Sequence, residues 1–174
     1  MTTEPEGLDT PQFSGWYDSS AYANIEVETL TGGDGVSNRY RFDHWTGKDI
    51  ASTSSPSTEI LMDAPKTATA YFVKQYYIRV ISLHGTPTPS QWVDSGDSLT
   101  ASVMSPTEIV AGQTQWKCVG FSMDDETKLG TSYTFEDVQG PHVIEFYWVQ
   151  QFWLQVDTAV SEAAVEGTGW YDID

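Results

Sequence analysis

The carboxylates of this chain are the first residues to consider for chemistry, because clustered acidic side chains can hold a cation. Asp124 and Asp125 lie in the densest acidic run, and Asp18 and Asp94 each close a Trp-x-Asp segment. Calcium takes six to eight oxygen ligands from carboxylates and carbonyls. The acidic run lacks the alternating spacing and the glycine of a calcium loop, and an Asp after a turn can instead bond backbone N–H groups. We therefore predict no metal and no cofactor, with Asp18, Asp94, Asp124 and Asp125 as weak calcium candidates.

The three histidines, His44, His84 and His142, do not have the spacing of a zinc site. Asp43-His44 lies before a serine-rich loop, which would suit a Ser-His-Asp site. The equivalent residues in the internal repeat described below are Val119-Gly120, which cannot do this chemistry. The sequence contains no Gly-x-Ser-x-Gly elbow, no His-Glu-x-x-His motif and no phosphate loop. We therefore predict that the chain is not an enzyme.

Three tryptophans, Trp16, Trp45 and Trp92, are the aromatic candidates for ligand binding. An exposed tryptophan can serve as a platform on which a sugar ring stacks. These three lie within motifs of the repeat, which is typical of residues that pack in a core or at a corner. We predict packing as their main role and keep ligand binding as the alternative.

An offset of 76 residues relates two parts of the chain. Gln75-Tyr76-Tyr77-Ile78-Arg79-Val80 recurs as Gln151-Phe152-Trp153-Leu154-Gln155-Val156. Gly15-Trp16-Tyr17-Asp18 recurs as Gln91-Trp92-Val93-Asp94, and again as Gly169-Trp170-Tyr171-Asp172. Such a long period is typical of module arrays. The predicted organisation is a polar tail or linker (1–14), a first β module (15–88), a second β module (89–166) and the start of a third repeat (167–174).

Hydrophobicity within each repeat alternates with a period of two. Residues 69–74 and 143–148 alternate between two faces, and residues 76–81 are β-branched and aromatic, as strands prefer. We predict an all-β fold made of tandem small antiparallel β-sandwich or grasp-like modules in series. The runs 70–81 and 146–156 are longer than an ordinary strand, so each is expected to end one module and begin the next.

The ends of the repeats leave two arrangements open. The polar residues Thr2–Thr10 are not expected to supply a strand in front of Gly15. Either each module closes on itself, over about 15–85 and 91–165, or one edge is unpaired and a spare strand is donated head to tail between chains.

The charge balance excludes some partners. The chain has 25 Asp and Glu against 8 Lys and Arg, a formal net charge of −17. Nucleic acid and anionic membrane surfaces need a basic footprint, so we predict neither nucleic-acid binding nor direct membrane insertion. The single cysteine, Cys118, aligns with Phe42 in the repeat, which predicts a buried apolar role. Met1 is not followed by a signal peptide, and the partial third repeat favours a segment of a longer protein.

The motifs of the first repeat resemble a repeat domain of archaeal and bacterial surface proteins, a divergent relative of the internalin B-repeat. The matching residues are Gly15-Trp16-Tyr17-Asp18, the stretch 39–47 (Arg-Tyr-Arg-Phe-Asp-His-Trp-Thr-Gly), the stretch 62–72 (Met-Asp-Ala-Pro-Lys-Thr-Ala-Thr-Ala-Tyr-Phe) and Gln75-Tyr76-Tyr77. The second repeat departs from the pattern, because Gly120-Phe121-Ser122-Met123 replaces the Trp-x-Gly corner.

The resemblance implies a non-enzymatic, extracellular structural or adhesive segment, such as a stalk or part of a surface layer at the cell surface. The implied partners are neighbouring repeats of the same parent chain, with self-association or surface glycans as further partners. Two alternatives stay open: a carbohydrate- or protein-binding module, and an accessory domain of a secreted archaeal hydrolase.

Overall fold

The fold is all-β, as the period-two alternation predicts. The computed structural model describes residues 2–8, 14–160 and 164–173, and within these ranges all helical and strand structure is strand. In chain order the strands are β1 (Thr2–Glu4), β2 (Ala21–Glu26), β3 (Leu30–Thr31), β4 (Asn38–Gly47), β5 (Ser57–Met62), β6 (Ala68–Ile81), β7 (Gln91–Asp94), β8 (Leu99–Ser102), β9 (Thr107–Val110), β10 (Thr114–Met123), β11 (Glu126–Lys128), β12 (Ser132–Phe135), β13 (His142–Leu154) and β14 (Gly169–Asp172).

The chain forms two compact units that interleave along the sequence. The first unit comprises Met1–Tyr77 and Trp92–Gly96, and the second comprises Ile78–Gln91 and Asp97–Asp174. Residues of β7 from Trp92 onward therefore belong to the first unit, although they come after residues of the second unit in the sequence. The first unit is completed by a segment of the next repeat.

In the first unit, β6 is the central strand. It pairs antiparallel with β4, which pairs with β3, while β1 runs parallel to β6 and β7 also pairs with it. Strands β2 and β5 form a separate antiparallel pair. The buried core contains Trp45, whose indole Nε1 donates a 2.9 Å hydrogen bond to the Ser55 carbonyl oxygen. Phe42 packs between Trp45 and Phe72, with ring centroids 5.8 and 5.9 Å away.

In the second unit, β13 takes the central place. It pairs antiparallel with β10 and with β14, and residues 78–81 at the end of β6 run parallel to it. Strands β8 and β12 form a separate antiparallel pair. Ile78, Ile144 and Phe121 are fully buried, and Cys118 is buried as its alignment with Phe42 predicts.

Equivalent irregularities mark the two units. The register of β4 against β6 shifts between Phe42 and His44, and the register of β10 against β13 shifts between Cys118 and Gly120. The two register shifts lie 76 residues apart, so the offset found in the sequence also relates equivalent strand pairings in the structure.

The N-terminal residues supply to the first unit a strand like the one that residues 78–81 supply to the second, in a register displaced by three residues, so that Thr2 corresponds to Ile81. Thr2–Glu4 forms a strand parallel to β6, just as residues 78–81 run parallel to β13. Leu8 packs against the core beside Tyr40, and its carbonyl oxygen accepts a hydrogen bond from the Thr31 hydroxyl. The expectation that Thr2–Thr10 supplies no strand is wrong for Thr2–Glu4, whose period-two signal is too short to read. Residues 1 and 9–13 of the predicted tail lie outside the described residues.

Gly85 is the glycine on which the packing of the second unit depends most. Its φ is +78°, and a Cβ built there would lie 2.4 Å from the Trp148 ring and 2.5 Å from the Met104 carbonyl oxygen. A side chain at this position would be strained and would also displace the Trp148 ring.

We expect Gly85→Ala to lower the free energy of unfolding of the second unit by about 2–4 kcal/mol, because strain and overpacking add. The measurement is urea denaturation followed by tryptophan fluorescence. Gly140→Ala is the matched control, since no atom lies within 4 Å of a Cβ built there. Equal midpoints for the two variants would contradict the packing described here.

Candidate strand-docking sites

A buried glutamine in the first unit links β6 to two other strands. Gln75 lies on β6 and is 7% exposed. Its Oε1 accepts a 2.8 Å hydrogen bond from the Arg39 Nε, and its Nε2 donates a 2.6 Å hydrogen bond to an Asp94 carboxylate oxygen. A buried amide without partners costs about 1–3 kcal/mol, so Gln75 favours the arrangement in which β7 is docked. We call Arg39, Gln75, Trp92 and Asp94 the first docking site.

Trp92 adds an aromatic contact to the first docking site. Its ring lies 5.2 Å from the Tyr77 ring at an interplanar angle of 54°, and the Arg39 guanidinium lies 4.2 Å above it. The backbone continues the contact beyond β7, because the Ser95 N–H donates a 2.8 Å hydrogen bond to the Lys74 carbonyl oxygen. The docked segment is thus held by a carboxylate, a ring and its backbone.

The second unit repeats this arrangement. Gln151 on β13 is 5% exposed. Its Oε1 accepts a 2.6 Å hydrogen bond from the Gln115 Nε2, and its Nε2 donates a 2.6 Å hydrogen bond to an Asp172 carboxylate oxygen. The rings of Trp153 and Trp170 lie 5.4 Å apart at 66°. We call Gln115, Gln151, Trp170 and Asp172 the second docking site.

The segment that fills the second docking site is β14. It pairs antiparallel with the end of β13, with Gln151 opposite Asp172 and Trp153 opposite Trp170. The Ile173 N–H donates a 3.1 Å hydrogen bond to the Gln150 carbonyl oxygen, matching the bond from Ser95 to Lys74 in the first unit. Each site therefore receives a Trp-x-Asp segment on a Gln-bearing strand.

The two sites differ in charge, because the first contains arginine side chains where the second has a neutral glutamine. In the first site Arg41 Nη2 also donates a 2.8 Å hydrogen bond to an Asp94 carboxylate oxygen. Burial raises the pKa of Asp94, but the hydrogen bonds from Arg41 and Gln75 outweigh it and hold that pKa below its usual value. Gln115 stands in the second site where Arg39 stands in the first, so the inner partner of the glutamine there is neutral.

The calcium candidates are dispersed. Asp94 belongs to the first docking site, and Asp18 and Asp125 are exposed. Asp124 accepts hydrogen bonds from His142 Nδ1, at 2.5 Å, and from the Val143 N–H, at 3.1 Å. Among the residues that the structure describes, no three His, Cys, Asp or Glu side chains come together as metal ligands.

A basic residue just after a proline contacts a carboxylate in both units. Lys66 follows Pro65 and bonds Asp49 and Asp63, the latter at 2.7 Å, with its side chain only 6% exposed. Burial lowers the pKa of Lys66, but the hydrogen bonds to Asp49 and Asp63 outweigh it and raise that pKa. His142 follows Pro141 and pairs with Asp124 in the same way.

Each histidine has the same two kinds of neighbour, a carboxylate and an aromatic ring. The contacts are His44 with Asp43 and Tyr71, His84 with Glu108 and Trp116, and His142 with Asp124 and Phe135. Stacking and ion pairing of this kind hold a ring in place. Asp43-His44 is thus a local pair stacked on β6.

The three candidate tryptophans lie in three different environments. Trp45 is buried in the core of the first unit, and Trp92 is half-buried in the first docking site. Trp16 is fully exposed and lines a surface pocket of about 400 Å³ together with Gly15, Tyr17, Ser19 and residues 62–66. Only Trp16 is placed to stack on a ligand.

Sequence reasoning did not single out Gln75, Gln151 or Arg39. The signal was present, because both glutamines open the most similar hexapeptides of the two repeats. A polar residue at a fixed place in an apolar strand indicates a specific partner, since burying an amide unpaired is costly.

Comparison with known proteins leaves the family unassigned. No protein-family model, curated protein sequence or solved structure matches this chain. The resemblance to surface-protein repeats therefore stays a prediction. In the described residues no helix has the length and apolar character needed to cross a membrane.

We expect Gln75→Ala and Gln151→Ala each to lower the free energy of unfolding by about 1–3 kcal/mol, since each leaves buried or half-buried polar partners unsatisfied. The matched control is Gln113→Ala, because Gln113 is exposed and such changes stay within about 0.5 kcal/mol. Chemical denaturation measures all three. Similar free energies of unfolding for the three variants would show that the buried amides do not contribute to stability.

We expect the contribution of Asp94 to the free energy of unfolding to depend on pH. Its folded pKa is depressed, so the stabilisation is complete above the unfolded pKa of about 3.9 and is lost as the pH falls through the folded value. The free-energy difference between the wild type and Asp94→Asn should thus be constant above about pH 5 and shrink below about pH 4.

The control for this pH dependence is the same comparison in an Arg41→Gln background. Removing the guanidinium removes one of the two bonds that lower the folded Asp94 pKa, so the acid-induced loss should be smaller and should be complete at a higher pH. Denaturation at a series of pH values measures both pairs. A wild-type difference that is the same at acid and neutral pH would contradict the assignment.

Proposed function

We propose that this chain is a non-enzymatic structural and adhesive segment of an extracellular protein, built from small β modules in series at the cell surface. The observation that carries the proposal is the pair of docking sites. Both place a Trp-x-Asp segment on a Gln-bearing strand through equivalent hydrogen bonds. A connection repeated in this way serves an array, in which each repeat must attach to the next.

The connectivity of the chain suits a load-bearing role. The chain leaves the first unit after Tyr77, returns to it for Trp92–Gly96 and leaves it again. Tension on this segment would pull β7 away from β6. That step breaks the hydrogen bonds of Asp94 with Gln75 and Arg41 together with the Trp92 ring contacts.

The surface chemistry agrees with an exported location. A net charge of −17 keeps a protein well solvated and resists aggregation. We propose that the partners are neighbouring repeats of the parent chain, with self-association or surface glycans as further partners, and that the chain neither binds nucleic acid nor inserts into membranes.

A second candidate function is carbohydrate or protein binding through Trp16. This side chain is fully exposed beside the pocket of about 400 Å³. An exposed indole next to a groove is suited to stacking on a sugar ring. The two functions make different demands, because a structural segment needs docked strands and a binding module needs a ligand.

We expect the full chain, pulled from its two ends in single-molecule force spectroscopy, to unfold in two resolved events. Asp94→Ala should lower the force of one event and Asp172→Ala that of the other, since each removes a carboxylate from one docking site. Gln113→Ala, at an exposed residue, is the control and should leave both forces unchanged. Extension without a resolvable event would contradict a load-bearing role.

Location and ligand binding are tested separately. Antibodies against the chain should label intact cells of the source organism without permeabilisation, and labelling only after permeabilisation would contradict an extracellular role. Oligosaccharides titrated into the wild type and into Trp16→Ala test the second candidate. Binding that the substitution abolishes would favour the binding module over the structural role.

A further inference from the structure

The chain contains three Trp-x-Asp segments, and two of them are docked. Trp92-Val93-Asp94 fills the first docking site and Trp170-Tyr171-Asp172 fills the second. The remaining segment, Gly15–Asp18, has the same four residues as Gly169–Asp172. It is not part of a strand, and Trp16 is fully exposed whereas Trp92 and Trp170 are half-buried.

The equivalence of the two units explains why this segment is not docked in its own unit. Thr2–Glu4 run parallel to β6 in the first unit, as residues 78–81 run parallel to β13 in the second, with Thr2 in the register position of Ile81. In the second unit, the Trp-x-Asp segment that follows 78–84 belongs to the other unit. By the same rule, Gly15–Asp18 follows 2–8 and is the segment that a further unit would receive.

We propose that Gly15–Asp18 is a docking strand for a second copy of this chain, in which it takes the place that β14 takes on β13. In that complex the Asp18 carboxylate accepts the hydrogen bond from the Gln151 Nε2 and the Trp16 ring packs on Trp153. The backbone pairs antiparallel with residues 151–154, as β14 does. This inference deepens the proposed self-association, since it names the donor segment and the acceptor site, and it holds wherever the protein is located.

Intramolecular docking controls when the second copy can bind. In the described part of the chain both docking sites are occupied, and β14 is tethered to β13 by residues 155–168. A short tether gives an effective concentration in the millimolar range, so a free chain at micromolar concentration keeps β14 in place. Because Gly15–Asp18 and β14 have identical residues, replacing β14 by Gly15–Asp18 of a second copy changes the contacts at the second docking site very little. The second copy therefore binds only when β14 has left that site.

The first experiment opens the second docking site in the full chain. Trp170→Ala with Asp172→Ala removes the two side chains by which β14 is held. Sedimentation velocity is run in about 1 M NaCl, where a Debye length of about 3 Å screens the acidic surface. We expect concentration-dependent association of this variant, while the wild type remains monomeric.

The control adds Trp16→Ala and Asp18→Ala to the open variant. These substitutions lie outside both docking sites and remove the donor, so the fourfold variant should be monomeric again. Association that persists in the fourfold variant, or an open variant that is folded by circular dichroism yet stays monomeric at every concentration, would overturn the proposal.

A second measurement does not depend on the folding of these variants. A peptide of residues 14–20 is titrated into the isotope-labelled wild-type chain at millimolar concentration, the range in which it competes with the tethered β14. We expect NMR shifts in residues 150–154 and 169–173. The same peptide with Asp18→Ala should bind about tenfold more weakly, the effect of one hydrogen bond to a charged group. Equal shifts with both peptides, or shifts confined to other residues, would overturn the proposal.

Discussion

The structure depends on a constraint imposed by two buried amides. Gln75 lies in the middle of β6 and Gln151 near the end of β13, and both are buried. They must find partners, because an unpaired buried amide costs about 1–3 kcal/mol. Each finds one partner on its neighbouring strand and another in a Trp-x-Asp segment from further along the chain. A unit is therefore satisfied only when that later segment is docked. The repeat in sequence and the unit in space do not begin and end at the same residues.

This mismatch accounts for several features that would otherwise be unrelated. The long strands β6 and β13 carry the glutamines. Residues 2–4 and 78–81 run parallel to these strands, so a segment that reads as a polar tail forms part of the first unit. The Trp-x-Asp segment that follows residues 78–84 belongs to the first unit. The register shift occurs at equivalent residues of β4 and β10, so β4 pairs with β6 in the same way as β10 pairs with β13.

The units differ mainly in how they place their charges. The first unit pairs Asp94 with Arg41 and Lys66 with Asp49 and Asp63. The second unit has His142 with Asp124 at the position of the lysine. Exposed or half-exposed pairs of this kind contribute little individually. They orient the chain around an apolar core that Trp45 and Phe121 fill in their respective units, in a protein whose net charge would otherwise oppose compaction.

The sequence by itself determined the strands, since alternation with a period of two is local: Ala68, Ala70 and Phe72 are buried, as it predicts. It also determined the internal repeat and the burial of Cys118. Tertiary structure decided which strands meet. Gln75 reaches Asp94 across 19 residues, and no local pattern sets that distance. Trp16, Trp45 and Trp92 are the same residue type, yet one is exposed, one buried and one half-buried. Side-chain environment follows from long-range register, which hydrophobic alternation does not specify.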